Sequence, residues 1–314
     1  LRPTSTGPGN SLLPPAESGH LQGPLMTTST NIIAFQGLPG AFSQMACRAA
    51  RPDMEVMPCA SFEDMLEAVS SGAADLAMVP VENSVAGRVA DIHHLLPESG
   101  LHIIGEHFQR VELTLLAPRG ASIEGLKRVR SHSMALAQCR KLIRELKLQP
   151  VTSTDTAGAA AEIAELNDPE TAALASPLAA DIYGLKVLRA NVEDAAHNTT
   201  RFLIMARQGI VPPLDDQPVV TTIVFAVRSV PAALYKALGG FATNGVNLTK
   251  LESYMVGGSF EAAQFYVDAE GHPESQSMQH ALEELKFFCP KGAVKILGTY
   301  PANPYRQIAK QNGR

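Results

Sequence analysis

From Asn31 onward the sequence repeats one pattern: a short apolar run, a turn containing glycine, then a stretch whose apolar residues recur at helical spacing. Strands that alternate with helices pair through crossovers, so this rhythm commits the chain to an α/β fold with a largely parallel sheet. NIIAFQ, EVMPC and DLAMVPVE read as strands, while AFSQMACRAA and FEDMLEAVSS read as helices, the second opened by Ser61 as N-cap. The rhythm breaks around Gln109 and Arg110, where LHIIGEHF and VELTLLAP follow each other almost directly. Such a break is expected where a chain crosses between two lobes. A second alternating set follows: RVRSH, a run near Val151, TAALAS and KVLRA as strands, with ALAQCRKLIREL, DTAGAAAEIAEL and PLAADIY as helices. TRFLIMA then carries the chain back into the first lobe.

QGIVPPLDDQP is polar and proline-rich, and it separates this region from a second periodic one. Beyond it VVTTIVFAV, VNLTKLESYMV, SFEAAQFYVDAE and AVKILGTY read as strands. PAALYKALGGFATN, with Pro231 in its first turn and Asn244-Gly245 as its stop, and SQSMQHALEELKFF read as helices. The order βαββαβ is a ferredoxin-like unit. The expected organisation is a leader at 1–30, a two-lobed domain at 31–207 (lobe 1 about 31–108 plus 198–207, lobe 2 about 109–197), a linker at 208–218, the βαββαβ domain at 219–300 and a tail at 301–314. A chain of 314 residues suits two cores better than one. Residues 1–25 are rich in Pro, Gly and Ser and begin with Leu, so Met26 reads as a plausible start, with a disordered native extension as the alternative.

Acidic residues outnumber basic ones, 31 to 26, and no Lys/Arg-rich run occurs, which argues against a nucleic-acid partner. The four cysteines, Cys47, Cys59, Cys139 and Cys289, form neither a C-x-x-C pair nor a Cys/His cluster, so they read as reduced, packed thiols rather than metal ligands. No apolar run approaches the ~20 residues of a membrane span. These features lead us to expect a cytoplasmic protein without a membrane partner.

Four segments carry polar groups where ligands bind in such folds. Gly37-Leu38-Pro39-Gly40 joins a strand to a helix opened by Ala41-Phe42-Ser43, aiming backbone N–H groups and the Ser43 hydroxyl at an anion, or serving only as a tight turn. Pro80-Val81-Glu82-Asn83-Ser84 lies at a strand end, where Asn83 or Ser84 either binds ligand or caps the next helix. Ser131 and Gln138 stand two helical turns apart, and for Ser131 capping is the better reading of the residues alone. Thr199-Thr200-Arg201-Phe202 sets hydroxyls and a guanidinium at the start of an apolar strand, fit to clamp a carboxylate bidentately, or else simply solvated at a strand edge. His93 and His94 are adjacent, so they point to different helix faces and do not share a metal.

FQGLPGAFS, PVENSVAG, SHSMALAQC and NTTRF, in this order and followed by a βαββαβ unit containing NGVNLTKLES, resemble the prephenate dehydratase family from about Asn31 to Tyr300. The resemblance implies a two-lobed, periplasmic-binding-protein-like α/β catalytic domain followed by an ACT regulatory domain. It implies cofactor-free, metal-free conversion of prephenate to phenylpyruvate, carbon dioxide and water in L-phenylalanine biosynthesis. Carried over residue by residue, Thr200, Arg201, Glu82 and Asn83 are expected to be catalytic, with Thr200 donating to the departing hydroxyl and Arg201 clamping a carboxylate. Ser43, Ser84, Ser131, Gln138 and Phe202 are expected to bind substrate, with Phe202 packing. Asn247, Leu248, Glu252 and Ser253 are expected to bind phenylalanine as effector at a dimer interface in a homodimer or homotetramer.

The chain departs from the family pattern in three places. His132-Ser133-Met134 stands where many members have His-Pro-Gln, Ala232 replaces the usual glycine before ALxxxL, and Tyr254-Met255 replaces Arg-Pro. Two other functions remain open at this level: arogenate dehydratase, with an amino group in place of the keto oxygen, and a non-catalytic metabolite-sensing binding protein.

Overall fold

The computed structural model describes residues 30–228, 230–255 and 263–312. The leader read over 1–30 lies outside the described residues but for Thr30, as does the start of the SFEAAQFYVDAE run. The first part of the chain forms β1 (Ile32–Gln36), α1 (Phe42–Ala50), β2 (Glu55–Cys59), α2 (Phe62–Ser70), β3 (Leu76–Asn83), the short β4 (Gly87–Arg88), α3 (Ala90–Leu95) and β5 (His102–Arg110). There follow β6 (Thr114–Ala117), β7 (Arg128–Ser131), α4 (Ser133–Gln138), α5 (Arg140–Glu145), β8 (Gln149–Thr152), α6 (Thr156–Leu166), β9 (Thr171–Ala175), α7 (Pro177–Tyr183) and β10 (Lys186–Arg189). The strand β11 (Thr199–Ala206) precedes the last group: β12 (Val219–Ala226), α8 (Ala233–Thr243), β13 (Leu248–Met255), β14 (Ala263–Glu270), α9 (Gln276–Phe288), β15 (Val294–Pro301) and α10 (Tyr305–Asn312).

Three sheets result. The first runs β2-β1-β3-β11-β5, with β4 beside β3; the second runs β10-β6-β9-β7-β8. Both are mixed rather than purely parallel, because β11 lies antiparallel between β3 and β5, and β6 lies antiparallel to β9 and β10. The return of TRFLIMA to the first lobe is what fills the gap between β3 and β5. The third sheet, β13-β14-β12-β15, is antiparallel and carries α8 and α9 on one face, over a core including Phe225, Phe241, Val267 and Leu285. Its other face packs on the first lobe, where Val220, Val224, Tyr266 and Tyr300 share a core with Ala77, Val79, Ile92 and Ile103. Gly298 permits this approach, since a Cβ there would run into the Ile103 carbonyl of β5.

Local chemistry explains most element ends. The Ser61 hydroxyl accepts from the Asp64 N–H at 3.0 Å and caps α2, whose apolar Met65, Leu66 and Val69 face the core. Three ends depart from the sequence reading. The helix expected over ALAQCRKLIREL is broken at Cys139, because the Asp194 carboxylate accepts from the N–H groups of Arg140 and Lys141 and so starts a new helix there. Helix α8 begins two residues after Pro231, since Ala232 takes the left-handed conformation at φ 62°. The region read as a tail contains α10, which docks on the first lobe through Tyr305 stacked on Phe108 and Arg306 bonded to Glu106.

Candidate active site

Strand β11 decides which functional side chains meet. Neighbouring residues on a strand face opposite sides of the sheet, so Thr200 and Arg201 are directed into different environments. Thr200 pairs with Asn83 and Arg201 with Glu82 across β3, and the register then shifts before Phe202 meets Pro80. Pro80 has no N–H for the ladder, so a bulge at this point fits the sequence.

On one side, Ser43, Gln138 and Thr200 line a hollow of about 420 Å³ between the lobes, with Phe42, His132 and Thr156 also on its wall. No Lys or Arg is among the described residues lining it. Positive potential instead comes from helix starts. Helix α1 opens at Ala41 without a side-chain cap, and Ala41, Phe42 and Ser43 all line the hollow, so the positive end of this helix lies at its wall. The starts of α4 and α6 also reach it, but they are capped by the His132 ring and by the Asp155 carboxylate, both of which lie on its wall.

The QGLPG turn is also a structural joint. Gly40 has φ 90°, and a Cβ on it would lie 2.9 Å from the Ala179 Cα of the second lobe. The Ser176 hydroxyl donates to the Gly40 carbonyl and the Tyr183 hydroxyl to the Pro39 carbonyl, fastening lobe to lobe behind the hollow.

Behind Thr200 lies a chain of amides. The Asn83 Nδ2 donates to Thr200 Oγ1 at 3.0 Å and to Asn198 Oδ1 at 2.8 Å, and Asn198 Nδ2 donates to Gln138 Oε1 at 2.9 Å. Asn83 Oδ1 accepts from the Val85 and Ala86 N–H groups.

The opposite side of β11 holds a buried ionic network against the third sheet. The Arg201 guanidinium, only 3% exposed as a side chain, donates to Glu106, Glu82, Asp268 and the Tyr300 hydroxyl. Lys250 of β13 donates to the second oxygen of Glu82 at 2.7 Å, and Arg306 of α10 donates to Glu106. Three cations thus face three carboxylates. Burial pushes the Asp268 carboxyl up, but Arg201, Thr222 and Arg306 outweigh it and hold it below its usual range. Glu82 behaves alike: burial raises it, and Arg201 with Lys250 brings it below the ordinary value. His93 packs edge-on against Tyr266, and burial, helped by Lys250, lowers its pKa to about 4, so the ring is neutral at pH 7.

These placements revise several expectations. Arg201 does not reach the hollow as a carboxylate clamp, because strand alternation turns it toward Asp268 and Glu106. Glu82 follows it to the same side. The Ser131 hydroxyl is fully buried and donates to the Leu174 carbonyl at 2.6 Å, tying β7 to β9, and it does not line the hollow. The Ser84 hydroxyl donates to the His197 carbonyl and accepts from the Thr199 N–H, a loop clasp. Phe202 packs in the core with Phe35, Met78 and Ile204. Among the effector candidates, Asn247 donates to Glu270, Leu248 packs on the βαββαβ core, and Glu252 and Ser253 meet Arg88 of the first lobe. Glu106, Asp268 and Tyr300 were not singled out from sequence, and Asn198 only as part of the NTTRF segment. Asn198 was legible only as the first letter of NTTRF, and the others only through sheet pairing.

A family model described as prephenate dehydratase matches residues 33–210. A protein of Komagataeibacter europaeus named bifunctional N-acyl-homoserine lactone acylase/prephenate dehydratase is 54% identical over 276 residues, covering 88% of this chain and 98% of that one. An Arabidopsis thaliana protein named arogenate dehydratase/prephenate dehydratase 2, chloroplastic, is 39% identical, covering 93% of this chain and 78% of that one. The crystal structure of a prephenate dehydratase from Arthrobacter aurescens in complex with L-Phe is similar at TM-score 0.78 and 32% identity, covering 90% of this chain and 97% of that one. With a family model matched over more than half of its length and relatives of this identity covered nearly end to end, the chain belongs to the prephenate dehydratase family.

Proposed function

We propose that the hollow between the lobes converts prephenate to phenylpyruvate, carbon dioxide and water, with residues 31–207 as the catalytic unit and 219–300 as an ACT regulatory unit. The observation that carries this reading is the Thr200 hydroxyl, which lines the hollow while accepting from the Asn83 amide. An accepting hydroxyl keeps its own proton for another partner. As the ring C–O bond of prephenate breaks, the departing hydroxide gains basicity, takes a hydrogen bond from Thr200 and leaves as water with a proton drawn from solvent. The electron pair of the breaking C–C bond to the ring carboxylate moves into the ring, and aromatisation drives both departures. The donation strengthens in the transition state, so it accelerates turnover more than it tightens binding. The uncapped start of α1 at Ser43 and the Gln138 amide receive the substrate's carboxylates in place of an arginine.

The keto and amino forms of the acid, prephenate and arogenate, are separated by assaying purified protein on both and reading phenylpyruvate against phenylalanine. Turnover of prephenate is expected; no turnover of either acid would remove the reading and leave a metabolite-sensing role. Regulation belongs to the same proposal. Phenylalanine bound near Asn247 and Leu248 at an ACT pair, in a cytoplasmic dimer or tetramer, would shift β13, whose Lys250 reaches Glu82 beside Asn83. A phenylalanine titration that changes neither activity nor melting temperature would refute it.

A second reading has one favouring observation. A neighbouring hollow of about 600 Å³ shares Gln36, Gly37, Thr154 and Asp155 with the first, extending the groove past Leu38 and Pro58. With the acylase named in the Komagataeibacter relative, this supports amide hydrolysis of acyl-homoserine lactones as an added activity. Release of fatty acid from a decanoyl-homoserine lactone would support it, and no release above a buffer blank would refute it.

A further inference from the structure

The amide chain behind Thr200 has a direction, and that direction is fixed by the backbone. An N–H group only donates, and the N–H groups of Val85 and Ala86 both point to one atom of Asn83, at 2.9 and 2.8 Å. That atom must be the oxygen, so the Asn83 nitrogen faces Thr200 and Asn198. The atom of Asn198 that meets it must then accept, which turns the Asn198 nitrogen toward Gln138. The atom of Gln138 that meets Asn198 must in turn accept, leaving the Gln138 Nε2 hydrogens for the hollow that this side chain lines. Asn198 is fully buried and does not line the hollow. It stands where the chain passes from the second lobe into β11, bonded to β3 on one side and to the end of α4 on the other. Its backbone is held as well, since its carbonyl accepts from the Arg110 side chain and the Val111 N–H.

We propose that Asn198 is a positioning residue that sets the donor polarity of the active-site hollow, holding the Gln138 amide with its N–H groups toward the substrate's carboxylates. This rests on the dehydratase reading. A hollow with no lysine or arginine among the described residues of its wall depends on its neutral donors being turned the right way. A glutamine free to rotate would present its oxygen half the time, and an oxygen facing a carboxylate repels it. Asn198 removes that choice, and because it spans the two lobes it does so only when they are apposed as they are here.

The test is Asn198→Asp in the full-length protein. The aspartate still accepts from Asn83 but, when ionised, has no hydrogen for Gln138, so the glutamine turns over and offers its oxygen to the substrate. Between pH 7.5 and 8, kcat/KM is expected to fall about 10²-fold, mainly through KM. Lowering the pH protonates the aspartate, restores an O–H donor to Gln138 Oε1 and recovers part of the loss relative to wild type at the same pH, after subtracting the uncatalysed rate. Asn198→Ala loses activity without such recovery, which separates orientation from mere structural damage. A ratio of wild type to Asn198→Asp that stays constant with pH, or an unchanged KM, overturns the proposal. If that variant does not fold, Gln138→Glu serves: it keeps an acceptor for Asn198 but faces the hollow with oxygen, so KM must rise at least tenfold, and an unchanged KM overturns the proposal. Wild-type protein that turns over neither acid would instead refute the dehydratase reading itself.

Discussion

Replacing Arg201 by Met separates the role that its position in the TRF run suggests from the role the fold gives it. The guanidinium makes hydrogen bonds to Glu106, Glu82, Asp268 and Tyr300. The side chains of Glu106 and Asp268 are wholly buried. Methionine keeps much of the volume but leaves two buried carboxylates with Arg306 as their remaining cation, 3.7 Å from Asp268. Breaking one member of a buried ionic group costs about 3–5 kcal/mol. That is a large part of a total of ~5–15 kcal/mol, and it corresponds to roughly 6–20 °C in melting temperature at ~2–4 °C per kcal/mol. The pH dependence has a definite sign. In the wild type Asp268 and Glu82 are held below their usual values, so their stabilisation is present above the unfolded carboxylate range and is lost as pH falls through the folded values. In the variant burial acts on Asp268 without Arg201, its folded pKa moves above the unfolded one, and stability improves as pH falls. The melting difference between the two proteins is therefore largest near pH 7 and narrows toward pH 4. Circular dichroism melts across this range, with KM measured at 20 °C, read both effects. A melting temperature unchanged at pH 7 together with a tenfold rise in KM would return Arg201 to the substrate.

Three further changes follow from the same geometry. Gly40→Ala meets both a left-handed backbone at φ 90° and the Ala179 Cα at 2.9 Å, so it should push the lobes apart and lower kcat/KM by about tenfold or more, alongside a lower melting temperature. Ser131→Ala removes a buried hydroxyl bonded to the Leu174 carbonyl; it should cost about 1–3 kcal/mol in denaturant melts and leave KM unchanged, whereas a changed KM would restore Ser131 to the binding site. Ala232→Gly relieves a left-handed alanine at φ 62° and should raise the stability of the βαββαβ unit by about 1 kcal/mol, read as a shift of its unfolding midpoint in urea.

The strands and helices were legible because their signals are local. Ser61 caps where a serine before an amphipathic run should, and the alternating apolar runs became the three sheets. Cys139 shows where local pattern stops: the helix there is cut by Asp194, more than fifty residues downstream. The tail helix α10 was missed because it is stabilised by Glu106 and Phe108 rather than by an apolar face of its own. The site was legible as segments but not as directions. Thr200 lines the hollow and Asn83 bonds to it, yet Arg201 and Glu82, their neighbours in the TRF and PVENS motifs, point to the third sheet because a strand alternates its faces. Nothing in PVENS or TRF says which face meets substrate until β3 and β11 are paired. Asn198 was read only as part of the NTTRF segment, with no role of its own, since its importance lies in joining two residues sixty and more positions away.

In the proposed reaction the Thr200 hydroxyl donates to the departing oxygen of prephenate. Single-turnover and steady-state rates of Thr200→Ala on prephenate, beside wild type of equal melting temperature, test it most directly. The expected result is a loss of about 10²–10⁴-fold in kcat with substrate-analogue binding changed far less. Unaltered turnover in that variant, or a loss explained wholly by weaker binding, would contradict it.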